Sequence, residues 1–280
     1  MDEPGPINNL IVISDTHCGC RLGLCPSGPV PMDDGGTYTP SQYQEIVWSW
    51  WNEFWGIHVP EFCHGEPFAV VMNGDALDGV HHGTVTQISQ NMADQFEIAY
   101  SILKPVVAAC GGRYYHIRGT EAHVGPSAQE EERLATALGA IPNEDGQHAR
   151  WELYLRIKHA LIHVAHHIGT AGSLAYESTA LSRELAEAYI EAGRWGMEPP
   201  DVIIRSHRHR NAEVRIQTQK GFCTVATTAG WQLKTPLTYR MASARQATPQ
   251  IGGTVVRVGD ADIYTRHKVW TIGRPAEVKL

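Results

Sequence analysis

The feature that most constrains this chain is a junction that recurs along it: an apolar run of strand length stops at an acid or a histidine. "LIVISDTH" ends in Asp15 and His17, and "AVVMNGDALD" in Asp75 and Asp78. "YYHIRGTEAH" leads to Glu121 and His123, "LIHVAHH" to His166 and His167, and "VIIRSHRH" to His207 and His209. A strand buried on both faces is apolar throughout, so these end groups serve no packing purpose. In an open α/β sheet the carboxyl ends of parallel strands share one rim, and residues remote in sequence converge there. Alternate residues of an extended segment point the same way. Asp15/His17 and His207/His209 are therefore each expected to present two groups to one side. Singly, each piece is ordinary, since an Asp after Gly is a common turn former. Five such ends in one chain point to a shared site.

The rest of the pattern places these ends on a scaffold. Strands are expected at 9–14, 67–75, 113–119, 201–207 and as a pair within 151–167. Helices are expected at 41–57, 91–109 and 127–139, the last closed by Gly139. Another helix, "AYESTALSRELAEAYIEAG", is expected to end at Gly193. Residues 18–40, rich in Gly, Pro, Cys and Asp, read as a long loop. From about 211 to 271 the alternation is that of β-structure. Strand–helix alternation followed by strands implies two sheets with helices outside. With no repeat and no linker, residues 1–280 read as one domain carrying an inserted loop and a Trp-rich helix at about 18–64. Four of the eight tryptophans lie in "WSWWNEFW"; that helix is expected to pack on the core, or to act as a lid.

Composition narrows the function classes. Of 280 residues 42% are hydrophobic, enough for a large core, and the formal net charge is −7. A sequence-independent hold on long nucleic acid needs a basic field, which the whole chain lacks. No apolar run approaches the ~20 residues that span a bilayer. The start "MDEPGPINN" lacks the basic and apolar parts of a secretory signal. A cytoplasmic protein is expected. Three of the six cysteines crowd into "CGCRLGLC"; reduced buried thiols and a structural zinc site are both open readings.

In this order, "SDTH", "GDALDG", "HH" and "SHRH" resemble the calcineurin-like metallophosphoesterases, over residues 9 to about 210. "GTEAHVG" and "DGVHHGT" are similar to members encoded by phages. The resemblance implies a four-layer α/β/β/α sandwich of two mixed sheets flanked by helices. It also implies a two-metal centre. Asp15, His17 and His209 would bind one ion, His166 and His207 the other, and Asp75 would bridge them. Asp78 would orient a ligand histidine, or serve only as a turn residue. Where the family has Gly-Asn-His, this chain has Gly119-Thr120-Glu121-Ala122-His123. Glu121 would then replace the missing amide as a ligand. His123 would act on the leaving group or become a ligand itself. Mixed carboxylate and imidazole donors suit Mn, Fe, Zn, Ni or Co.

The implied activity is hydrolysis of a phosphate ester, phosphodiester ahead of monoester, by in-line attack of a hydroxide held between two cations ~3.5–4 Å apart. A nucleotide or nucleic-acid phosphodiester is the implied substrate. A nuclease, a phosphomonoesterase and a non-catalytic metal-binding scaffold are the alternatives. Arg208, with Arg205, Arg210 and Arg118, suits phosphate contact or a charged surface. His81 and His82 would contact substrate or line a loop. The 18–64 segment is expected to wall the cleft.

Overall fold

The structure, a computed structural model, describes residues 7–81, 83–169, 173–240, 247–273 and 276–279. Its strands are β1 (Asn9–Ile13), β2 (Val30–Pro31), β3 (Thr37–Tyr38), β4 (Phe68–Asn73), β5 (Tyr114–Ile117), β6 (Ala149–Arg150) and β7 (Glu152–Ile157). β8 (Ala160–Ala165), β9 (Val202–Arg205), β10 (Ala212–Thr218), β11 (Gly221–Thr227), β12 (Gln250–Val258) and β13 (Ile263–Thr271) follow. The α-helices are α1 (Gln42–Glu53), α2 (Val59–Phe62), α3 (Met92–Ala109), α4 (Glu121–Val124), α5 (Gln129–Leu138), α6 (Glu177–Trp195) and α7 (Pro236–Arg240).

Two mixed sheets form the body. One has the order β13-β12-β1-β4-β5-β6, the other β10-β11-β9-β8-β7. In the first, β1, β4, β5 and β6 run parallel; in the second, β8, β9 and β11 do. Side-chain alternation sorts the layers. Leu10 and Val12 of β1 and Val71 of β4 face Ile162 and Val164 of β8 and Val202 and Ile204 of β9, a core between the sheets. Ile11, Ile13 and Met72 point the other way, onto Val47 and Trp51 of α1, Ile98 and Ile102 of α3, and Leu134 of α5. On the far side, Ile203 and Val225 pack on Leu181 and Leu185 of α6. The fold is thus a four-layer α/β/β/α sandwich.

Ser41 caps α1 in a capping box: its hydroxyl accepts from Gln44 N–H, and the Gln44 side chain accepts from Ser41 N–H. The helix passes through a π-helical turn, Phe54–His58, into α2. Trp51 and Phe54 pack edge-on against buried Trp231, with centroids 4.8 and 5.7 Å apart. This segment is core, and no residue of 18–64 borders the main cavity described below. The expected wall is instead a backing: Cys18 N–H donates to Ala76 C=O, and Asp78 N–H donates to Cys18 C=O. The loop after β1 thereby pins the loop after β4 from behind. Helix α6 runs through Gly193 to Trp195 and stops at Gly196, which takes the left-handed φ of +64°. Termination follows the residue that adopts positive φ, and a glycine can also sit in a helix interior at modest cost.

Candidate metal centre

The carboxyl ends of β1, β4 and β5 in one sheet, and of β8 and β9 in the other, meet at one rim. The sheets are tied together there by Asn73, the last residue of β4. Its amide donates to Ser206 Oγ at 2.6 Å and to Ala165 C=O at 3.1 Å, and its own carbonyl accepts from His166 Nδ1 at 2.6 Å.

Asp15, His17, Asp75, His207 and His209 are placed by left-handed turns, not by extended backbone. Their φ values are 55, 42, 53, 70 and 51°. Only three other non-glycine residues among those described share this conformation. Such residues cost of order 1–3 kcal/mol each and gather where function demands it. The strand alternation expected for Asp15/His17 and His207/His209 is therefore replaced by a tight turn. Asp and His are among the residues that tolerate it best.

The structure brings four groups of donors together, the atoms of each within 4.8 Å of one another. They are Asp15/His17/His209, His17/Asp75/His123, Asp75/His166/His207 and Asp78/His81/His123. In the first, His209 Nε2 lies 3.1 Å from Asp15 Oδ1 and 3.1 Å from His17 Nε2. In the third, His166 Nε2 lies 3.1 Å from Asp75 Oδ2 and 4.0 Å from Asp15 Oδ1. Asp75 links the sets, sharing one group with His17 and another with His166 and His207.

Two observations fit these groups to cations. Asp15 Oδ1 and His166 Nε2 are buried and have no hydrogen-bond partner. His166 Nδ1 is committed to Asn73 C=O, so Nε2, once it gives up its proton, is left to face a cation beside two carboxylates. Ligand atoms about 2.1 Å from an ion stand about 3–4 Å apart, close to the spacings seen here. Carboxylates and neutral imidazoles are the donors such ions take.

The protein's own protons show the same strain. Burial alone would raise the Asp15 carboxyl, but His209 and His166 hold it well below the usual range. Burial likewise opposes, and His166 enforces, a strongly lowered Asp75. His166 loses stabilisation by burial, yet Asp75 and Asp15 push it up to about 10. His17 is raised against its burial by Asp78. Burial, with His17 nearby, drops His123 to about 4, and burial beside His166 drops His207 to about 4.

Asp78 stands behind the first group. Its Oδ1 is 3.3 Å from His17 Nδ1, and Gln232 and Gln87 donate to its two oxygens at 3.2 and 3.3 Å. Asp75 is fixed by Thr120, whose N–H and hydroxyl donate to Oδ1 at 2.7 and 3.0 Å. Glu131, fully buried, accepts from Ala76 N–H at 2.9 Å and Gly119 N–H at 2.6 Å, joining the two loops. Gln87, Gln232, Thr120 and Glu131 carry no motif signal. Only the apolar spacing of α5 marks Glu131 as inward-facing.

Glu121, expected as a ligand, is exposed at the start of α4 and joins none of the groups. Its place beside Asp75 is taken by Thr120 and His123. His123 Nδ1 donates to Asp78 C=O at 2.6 Å, and Nε2 lies 4.0 Å from Asp75 Oδ2. His166 is buried while His167 is exposed, as the shared face of Ile162, Val164 and His166 implies. His81 stacks edge-on with His123 at 4.3 Å; His82 lies outside the described residues. Arg205 pairs with Glu184, Arg210 with Glu177, and Arg118 with Glu132. Arg208 borders the cavity, and its Nη2 has no hydrogen-bond partner. All six cysteines are free and buried, and none belongs to a donor group among the described residues.

No protein-family model matches the chain, and no curated protein matches it. Solved structures do. A predicted phosphoesterase from Streptococcus pneumoniae is 10% identical, covering 94% of this chain and 98% of its own, with a TM-score of 0.35. Vacuolar Protein Sorting 29 from Cryptosporidium parvum is 12% identical over 95% and 98%, with a TM-score of 0.32. The sulfate thiohydrolase SoxB of Thermus thermophilus is 10% identical over 97% and 58%, with a TM-score of 0.44. At such distances the residues of the site itself carry the functional argument.

Proposed function

We propose that this protein is a phosphoesterase that uses two divalent cations, with phosphodiesters preferred over phosphomonoesters. The observation that carries this reading is the position of Asp75, whose carboxylate shares one donor group with His17 and another with His166 and His207. Cations held there would act as Lewis acids toward a phosphate ester, and Mn, Fe, Zn, Ni or Co suits these donors. Asp15, His17 and His209 would form one set; Asp75, His166 and His207 the other. Asp78 would keep His17 in place, as carboxylates behind ligand histidines do. His123 is assigned as a further imidazole donor beside Asp75. Its Nδ1 proton is spent on Asp78 C=O, and a ring held neutral down to about 4 offers a lone pair, not a proton. Arg208 would meet a non-bridging phosphate oxygen.

The diester preference rests on charge. Of the arginines flanking the last histidine motif, Arg205 and Arg210 already have carboxylate partners. One remaining guanidinium suits a singly charged diester better than a doubly charged monoester. The test is turnover of bis-p-nitrophenyl phosphate with Mn²⁺, compared with p-nitrophenyl phosphate. Faster diester cleavage, lost in Asp75→Asn, is expected. No cleavage of either ester would leave a metal-binding scaffold as the better account.

A further inference from the structure

The donor groups open into a cavity of about 680 Å³, bordered by His17, Asp75 and Asp78 at its base. Its walls are of a different character. Val85, Leu174 and Leu237, from three separate segments, border it, and so do Ile168, Leu233 and Pro249. Val85 is 88% exposed, and Leu174 and Leu237 are each 37% exposed. Apolar side chains left in contact with solvent around a strongly polar site mark a binding surface more often than scattered exposure does. None of these three belongs to the cores between or outside the sheets. Of the four Lys and Arg residues on the walls, Arg210 pairs with Glu177 and Lys234 lies 4.2 Å above the Tyr239 ring, which leaves Arg208 and Arg240 beside the apolar side chains. The apolar part of this wall offers contact area to an uncharged apolar group.

We propose that this cavity selects a small phosphate ester by its apolar organic substituent, seated between Val85, Leu174 and Leu237 while the phosphate meets the cations that the donor groups would hold. This deepens the function proposed above and rests on it. The volume lies within the range of pockets that enclose a small organic molecule. The phosphate would supply the anchor, common to every ester, and the walls would supply the discrimination. Moving a phenyl-sized group from water onto apolar walls is worth on the order of tenfold or more in affinity.

The test uses the Mn²⁺-loaded full chain and two non-hydrolysable ligands of like charge, phenylphosphonate and methylphosphonate, with binding measured by calorimetry. Phenylphosphonate is expected to bind at least tenfold tighter. The variant Leu174→Gln/Leu237→Gln, altered at two solvent-facing positions, is expected to bring the ratio within about threefold while methylphosphonate binding stays nearly unchanged. Val85→Gln is expected to lower the ratio in the same direction, with unchanged thermal stability showing that the fold is intact. Equal affinity for both ligands in the unaltered protein overturns the inference, and so does a ratio unmoved by all of these substitutions. Either result leaves the phosphoesterase reading standing, since that reading is judged by ester turnover. Failure of both phosphonates to bind overturns the phosphate site itself and this inference with it.

Discussion

Gly119→Ala is the sharpest structural perturbation of the site. A Cβ at position 119 would lie 2.1 Å from Asp75 Oδ1, 2.3 Å from Asp75 N and 2.9 Å from Asp75 Cα. Ordinary contact begins near 3.4 Å, so side chain and backbone must separate by about 1 Å, the excess over these contacts. Two of the three atoms struck are backbone, which cannot swing aside as a flexible side chain would, and the nearest is the carboxylate oxygen Oδ1 itself. Overpacking of this kind costs about 1–3 kcal/mol, or a few degrees in Tm at about 2–4 °C per kcal/mol. The functional loss should be larger. Ligand positions tolerate about 0.2 Å, and the Thr120 N–H and hydroxyl bonds to Asp75 would break with the same movement. We expect Mn²⁺ affinity at Asp75/His166/His207 to fall about 10–100-fold, the range seen when support behind a ligand is removed. The first ion, which shares Asp75, should lose less, because its other donors Asp15, His17 and His209 are not among the atoms nearest the new Cβ. Calorimetric Mn²⁺ titration, with melting of the metal-free protein as control, separates the two effects. Unchanged affinity at both groups would refute the claim that the Asp75–Gly119 contact sets the second group's geometry.

Other predictions follow from the same geometry. Asp78→Asn should weaken Mn²⁺ about 10–100-fold at the group containing His17 and leave the other group nearly intact; equal loss at both in a metal titration would contradict the assignment. Because Asp75 and Asp15 lift His166 to about 10 against its burial, the metal-free ring is protonated at pH 7.5 and Mn²⁺ binding should expel at least one proton. Calorimetry in buffers of different ionisation enthalpy reads this, and zero net release would contradict it. The metal-free protein should be most stable near pH 6.5. Below that pH the unfolded chain protonates histidines that burial holds down in the fold, His123 and His207 to about 4 and His163 to about 3. Stability is therefore lost as pH falls from 6.5 toward 4. The raised His166 acts oppositely: its contribution is complete below 6.5 and lost as pH rises toward 10. Each group contributes up to about 1.4 kcal/mol per pH unit, and a urea midpoint flat from pH 5 to 8 would refute the prediction.

The sequence made the rim legible because apolar strands end abruptly, and a change from apolar to ionisable residues survives without any knowledge of topology. Asp15, His17, Asp75, His166, His207 and His209 could all be singled out this way. Their local geometry could not. Left-handed backbone at Asp15 or His209 arises from the turn's tertiary setting, which periodicity does not encode. Glu121 looked like a ligand because it stands where the chain leaves β5. The one-turn helix α4 rotates it outward, and Thr120 and His123 come inward instead. Gln87, Gln232 and Glu131 were invisible for another reason. Each acts through hydrogen bonds formed across 9 to 154 residues of sequence. The 18–64 segment was misjudged as a wall because its position right after Asp15 and His17 suggested proximity to the cleft. Its tryptophans pack inward instead, Trp51 on Trp231 and Trp50 on Trp270. The cavity's apolar walls come largely from residues 83–86, 173–177, 232–240 and 247–249, stretches with no shared pattern to read.

The central claim is that the two sheets bring two cation sites to one rim with Asp75 shared between them. A crystal of the Mn²⁺-soaked protein, measured at the manganese absorption edge, tests it most directly. We predict two anomalous peaks about 3–4 Å apart, one within reach of Asp15, His17 and His209, the other of His166 and His207, and both touching Asp75. A single peak, or two peaks with Asp75 bound to neither, would contradict it.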